Sequence, residues 1–280
     1  MTSSPRDRAF DWSNLGLRLI SGAILAVGAV WAVWVFDARG LWRIPFLALV
    51  TGAAGLLCLE WASMAAPKRA LRIGAATALV VGVVVLLSFL GRYGWAWASL
   101  IPGAALCALL SARSDARIID AAYGVLYIAP AGIVIVWLRQ SAQGVGWTLM
   151  LFATAWAADI GAYLVGNLIK GPKLWPRFSP NKTWSGFVGG LAAAAATAVG
   201  VAAAVMQLSL AGAALIGLVG GLSTMAGDLW ESMLKRRFGV KDSGDLIPGH
   251  GGLLDRVDGL MFAIVAFGTA RLIVEFGWAH

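Results

Sequence analysis

Between Gly227 and Gly259 the chain gathers six acids (Asp228, Glu231, Asp242, Asp245, Asp255, Asp258) and five bases (Lys235, Arg236, Arg237, Lys241, Arg256), 11 of its 36 charged residues. If residues 227–236 are helical, Asp228, Glu231, Ser232 and Lys235 fall at i, i+3, i+4 and i+7 and share one face. Asp255 and Asp258 are three apart and share another. Carboxylates converging from two helix ends repel one another unless a cation lies between them. A hard divalent ion such as Mg²⁺ answers that need, and it also takes substrate phosphates into its shell. The neighbouring Lys235, Arg236, Lys241 and Arg256 suit those phosphates. Pro248, Gly249, His250, Gly251 and Gly252 form a loop whose backbone N–H groups can approach an anion. Walker A and GxGxxG patterns are absent from the sequence. Acids for a metal beside bases for phosphate are the parts of phosphoryl or nucleotidyl transfer, where catalysis is mainly positioning and electrostatics. A salt-bridged surface loop is the competing reading. Against it, the acids stand within two turns of apolar runs.

Two upstream features extend the set. Asp159 lies late in an apolar run, with Tyr163 at i+4. An ionisable side chain at that depth is costly and marks function by default; the alternative is a structural Asp paired with an Arg on a neighbouring helix. After it, Lys173, Arg177 and Lys182 surround Ser179, Pro180, Asn181 and Thr183. Cations and hydroxyls around a proline-fixed turn suit phosphate oxygens, whether of a nucleotide or of lipid headgroups.

The elements that must position these groups are membrane helices. Of 280 residues, 60% are hydrophobic and 13% charged, about half the charge of ordinary soluble domains. The apolar runs lack period-2 alternation, which predicts an all-α polytopic bundle rather than a barrel. Nine spans are expected, near 19–36, 44–65, 73–90, 95–112, 121–138, 145–165, 185–206, 209–230 and 260–277. With the N-terminus cytoplasmic, inside connections hold 17 Lys and Arg against four outside, a strong positive-inside bias. It puts polar loops near 166–184 and 231–259 on the cytoplasmic face. The net charge of +8 then reflects topology rather than nucleic-acid binding. One membrane domain covers 1–280, with 1–140 mainly structural and 141–280 catalytic. Glu60 and Asp120, near span ends, are expected to snorkel to water. Trp42, Trp95, Trp97 and Trp147 are expected as interface anchors. Cys58 and Cys107 read as buried packing residues. The Gly/Ala-rich seventh span favours close helix packing over lipid exposure. No internal repeat is visible, which counts against a transporter.

SMLKRRFGVKDSGDLIPGHGGLLDRVDG resembles the signature of the phosphatidate cytidylyltransferase family, through Ser232, Lys235-Arg236, Lys241-Asp242, Pro248, His250-Gly251-Gly252 and Asp255-Arg256-x-Asp258. DIGAYLVGN and SPNKTWSG are similar to further family patterns, and LEWASM is a weaker echo. Asn167, Asn181 and Ser185 stand where many members carry a base, a Lys and a Glu. The resemblance implies cytidylyl transfer from CTP to phosphatidate, giving CDP-diacylglycerol and pyrophosphate, in a bacterial inner membrane with the site facing the cytoplasm. It implies Asp228, Asp255, Asp258, Lys235 and Arg256 as catalytic residues. Ser179, Lys182, Ser232, Arg236, Lys241, His250, Gly251 and Gly252 would hold substrate phosphates. Asp228, Asp255, Asp258 and Asp159 would serve Mg²⁺, with room for a second cation. CTP, phosphatidate and the bilayer are the expected partners, nucleic acid is not, and a homodimer is open. The alternatives are a CTP-dependent polyprenol kinase, which would need Asp159 or Asp228 as a base, a transporter, or a lipid-binding scaffold.

Overall fold

A computed structural model describes residues 27–35, 43–112, 118–176, 178–244 and 251–277. Within them the chain is almost wholly helical. A segment at 27–34 (α1) precedes α2 (Arg43–Ala65), a short 3₁₀ turn, α3 (Ala70–Phe89), α4 (Tyr93–Ala98), α5 (Leu100–Ser111), α6 (Ile118–Gln140) and α7 (Gly144–Ile169). A small antiparallel hairpin, β1 (Lys173–Trp175) with β2 (Ser179–Thr183), follows, then α8 (Trp184–Val205), α9 (Leu210–Phe238) and α10 (Leu254–Glu275). Among the described residues, eight stretches are long and apolar enough to cross a membrane. They match the expected spans from the second onward, and half of the first span (19–26 and 36) falls outside the described residues.

The differences lie at the charged ends. The expected loop at 231–259 is shorter, because α9 runs on to Phe238 and α10 starts at Leu254. Hydropathy falls where charge begins, but backbone hydrogen bonding continues until a breaker. Here the breaker is Gly239, in a left-handed conformation (φ 74°) that closes α9 as glycine caps do. The expected loop at 166–184 is in part the last turn of α7 and in part the hairpin. Gly171 (φ 114°) and Pro172 stop α7, since proline cannot supply a helical N–H. The Thr183 hydroxyl accepts from Gly186 N at 3.1 Å and starts α8.

Helix α6 is the central post, with 72% of its apolar window buried. Helix α8 buries a single stripe (Gly186, Gly190, Ala194, Ala198, Ala202). Close packing extends beside that line, since a Cβ on Gly189 would lie 2.4 Å from Val165 Cβ of α7 and one on Gly161 would lie 2.6 Å from Ala193 Cβ, while Val188 and Gly200 are among the residues left exposed. Helices α9 and α10 also approach backbone to backbone. A Cβ on Gly227 would lie 2.5 Å from the Asp258 carbonyl oxygen, and one on Gly259 would lie 2.6 Å from that of Thr224. Small residues permit such contact where lipid removes the hydrophobic drive between helices.

Three polar expectations are corrected. Glu60 and Asp120 do not snorkel; they are 6% and 4% exposed. Both find partners inside the bundle. The Asp120 carboxylate receives Arg237 Nη2 at 2.5 Å, and its carbonyl receives Trp61 Nε1 at 2.8 Å. Trp147 is not an interface anchor. It is 2% exposed and lies 5.8 Å beneath the buried Arg271 guanidinium, a cation–π contact. Trp95 and Trp97 are exposed, Trp42 lies outside the described residues, and both cysteines are buried and free.

Gly227→Ala should lower stability by about 1–3 kcal/mol, because the methyl must displace backbone rather than a flexible side chain. Gly200 has open space around it, so Gly200→Ala should be neutral or stabilising. Thermal melts of both variants in one detergent check the contrast.

Candidate active site

The helical face expected from Asp228 to Lys235 is continuous, because α9 carries all four residues. Glu231 is fully buried, and Lys235 Nζ lies 2.8 Å from its Oε2 and 2.5 Å from Asp255 Oδ1 on α10. Lys235 thus joins two helices through two carboxylates. The second oxygen of Asp255 accepts from Ser243 N at 3.0 Å, Ser243 Oγ at 2.9 Å and Gly252 N at 3.1 Å. One carboxylate therefore holds Lys235 and both sides of the loop before α10. Asp228 is ion-paired with Lys182 of the hairpin. Asp258 Oδ1 accepts from Gly259 N at 2.7 Å, and its carboxyl lies within hydrogen-bonding reach of Glu231.

These groups meet in one cavity of about 980 Å³. Asp159, Lys182, Asp228, Lys235, Asp255, Arg256 and Asp258 line its charged part. Asp159 makes no contact ion pair among the described residues, but Lys182 and Arg256 stand near enough to attract its carboxylate through space. An apolar part of the wall comes from α2 (Leu49 to Leu57), α6 (Ile128 to Ile135), α7 (Phe152 to Trp156) and α10 (Leu260 to Ile264). Leu57 and Leu49 are eight residues apart on one helix, so the apolar part reaches roughly 12 Å from the charged end at 1.5 Å per residue.

A charged pocket with an apolar shaft suits an amphiphile that carries phosphate. The profile of the cytidylyltransferase family matches residues 16–273. The chain belongs to that family. It is 38% identical over 272 residues to a phosphatidate cytidylyltransferase of Brucella suis, covering 95% of this chain and 94% of the relative. A Pseudomonas aeruginosa protein of the same name is 36% identical over 277 residues, covering 96% and 84%. One from Staphylococcus saprophyticus is 42% identical over 147 residues, about half of each chain.

The cytidylyltransferase signature is not all on the cavity wall. Ser179, Ser232, Arg236 and Lys241 lie off it among the described residues. Arg236 is exposed and reaches the Val240 carbonyl at 3.5 Å. Gly251 (φ 79°) and Gly252 shape the stem of the loop, and His250 lies outside the described residues. Asn167 and Asn181 do line the cavity, whereas Ser185 hydrogen-bonds the Lys170 carbonyl behind the hairpin. Sequence reasoning placed Glu231 on the right face but gave it no role. Its fixed distance to Lys235, at i+4, was the available signal.

Lys235→Met should destabilise the protein by about 3–5 kcal/mol, because it leaves Glu231 and Asp255 buried without their cation. Adding Glu231→Gln should recover part of that loss without restoring turnover. Parallel melting and activity measurements separate the two effects.

Proposed function

We propose that the chain transfers the cytidylyl group of CTP to phosphatidate, forming CDP-diacylglycerol and pyrophosphate. The observation that carries this reading is the single cavity whose charged end adjoins an apolar shaft. One end suits a nucleotide triphosphate and a lipid phosphate together, and the shaft suits an acyl chain. The name shared by the relatives supports the choice of reaction.

In this reading a phosphate oxygen of phosphatidate attacks the α-phosphorus of CTP. A new P–O bond forms, the bond from the α-phosphorus to the bridging oxygen breaks, and pyrophosphate leaves with that electron pair. A phosphate monoester is largely ionised near neutral pH, its second pKa being about 6, so no strong general base is needed. Lys182, Lys235 and Arg256 approach from the hairpin, α9 and α10 and neutralise the phosphates. His250 serves the loop and substrate binding rather than proton transfer. Asp255 keeps Lys235 in place.

Among the described residues no three acids, histidines or cysteines are grouped to hold a metal unaided. Asp159, Asp228 and Asp258 face the cavity, and the buried Glu231, within hydrogen-bonding reach of Asp258, lies off its wall. That donor set fits Mg²⁺, which uses one or two carboxylates and completes its shell with phosphates and water. Asp228 and Asp258 would hold it with Asp159 nearby, and when bound it would offset charge on the nucleotide and leaving group. The 17-to-4 distribution of bases supports a site facing the cytoplasm of a bacterial cell membrane. Assembly as a homodimer belongs to the same proposal, and light scattering of the detergent complex reads it directly.

Purified protein given phosphatidate and each of the four ribonucleoside triphosphates should turn over CTP alone, and chelation of Mg²⁺ should abolish turnover. Asp228→Asn and Asp258→Asn should each cost at least about 10²–10³-fold in kcat, the scale of losing a preorganised electrostatic group. Equal use of all four nucleotides, or full activity of both variants, would overturn the assignment.

A further inference from the structure

Helix α10 begins without a cap of its own. Leu253 occupies the N-cap position and supplies no side-chain hydrogen bond, although a helix start leaves backbone N–H groups that need acceptors. Those acceptors come from α2, almost two hundred residues earlier. Glu60 Oε1 accepts from Leu253 N at 2.7 Å, and Glu60 Oε2 accepts from Leu254 N at 2.6 Å. Glu60 is 6% exposed and has no Lys or Arg partner among the described residues. A buried carboxylate without a cation is costly, and the partial positive charge of a helix N-terminus compensates it.

The same carboxylate reaches the other side of the loop. Ser243 Oγ stands 3.4 Å from Glu60 Oε2 and 2.9 Å from Asp255 Oδ2. A hydroxyl has one proton to give, and it goes to the nearer Asp255. Gly252 fits into this junction because a Cβ there would lie 1.9 Å from Ser243 Oγ and 3.0 Å from Glu60 Oε2. Glu60 from below and Asp255 from above therefore close the stem of the loop, at Ser243 on one strand and Gly252 to Leu254 on the other.

We propose that Glu60 is a positioning residue for the reaction. By holding the first N–H groups of α10 it fixes the height and rotation of that helix. Asp255 and Asp258 ride on its first turns, and Asp255 in turn holds Lys235. Glu60 does not line the cavity, so it acts on geometry and not on bound substrate. This inference rests on the cytidylyl-transfer reading given above.

The test is Glu60→Gln, with Glu60→Asp and Ser243→Ala beside it, in the reconstituted full chain. Glutamine keeps the volume but presents an NH₂ to one of the two N–H donors. Its kcat should fall on the order of 10–100-fold, the cost of removing a group that orients catalytic ligands. KM for CTP and phosphatidate should change little, since only transition-state placement is lost. Glu60→Asp, with the charge retained on a shorter arm, should recover part of the kcat. Glu60→Gln and Ser243→Ala should combine non-additively because they share one junction. Wild-type protein without phosphatidate turnover would instead sink the functional reading itself. With an active wild type, Glu60→Gln at full kcat, a loss residing in KM, or an additive double variant would overturn the role of Glu60.

Discussion

At Gly227 and Gly259 the backbones of α9 and α10 touch, and no side chain of any size fits between them. Asp228 follows the first glycine and Asp258 precedes the second, so the contact delivers one acid from each helix to a common space. Lys235 lies two turns further along α9, where it reaches Asp255 on the next turn of α10. If the helices stood a methyl group further apart, this ion pair and the shared cavity wall would both be lost. In lipid, close packing of small residues is what holds such a crossing. The acids themselves oppose it unless cations stand among them.

Charge buried in this bundle is almost always answered. Lys235 answers Glu231 and Asp255, Arg237 answers Asp120, Lys182 answers Asp228, and a helix start answers Glu60. Asp159 makes no contact ion pair among the described residues; it faces the cavity, with Lys182 and Arg256 near enough to act on it through space. An ionisable group held at membrane depth without a contact partner marks a functional position by default. The structural pairs also explain why the charged end stays open. Helix α9 is fastened to α6 by Arg237 and Asp120, and α10 to α2 by Glu60, behind the site, so the bases and acids in front need not collapse on one another.

The helices and the acid–base cluster were legible in the sequence because both signals are local. Apolar runs near 20 residues and the i, i+3, i+7 spacing of Asp228, Glu231 and Lys235 need no knowledge of the fold. What escaped was non-local. Glu60 looks like any acid near a span end, and its partners are backbone N–H groups of α10, which leave no mark in residue type. Asp120 and Trp147 were misread for the same reason, since burial against a distant helix and exposure at an interface have one sequence pattern. The ends of α9 and α10 were misplaced because hydropathy tracks the lipid boundary, whereas the helix follows Gly239. Cavity-lining residues on α2 and α6 are ordinary Leu, Ile and Ala, which sequence cannot tell from packing residues.

One cavity serving nucleotide and lipid together makes a direct demand on where the nucleotide's atoms go. Protein in mixed micelles can be supplied with CTP labelled at the α-phosphate and phosphatidate labelled in an acyl chain. Both labels should appear in a single lipid product, with one pyrophosphate released per lipid. Release of labelled CDP to solution, with the lipid gaining only an unlabelled phosphate, would contradict cytidylyl transfer and point to a kinase.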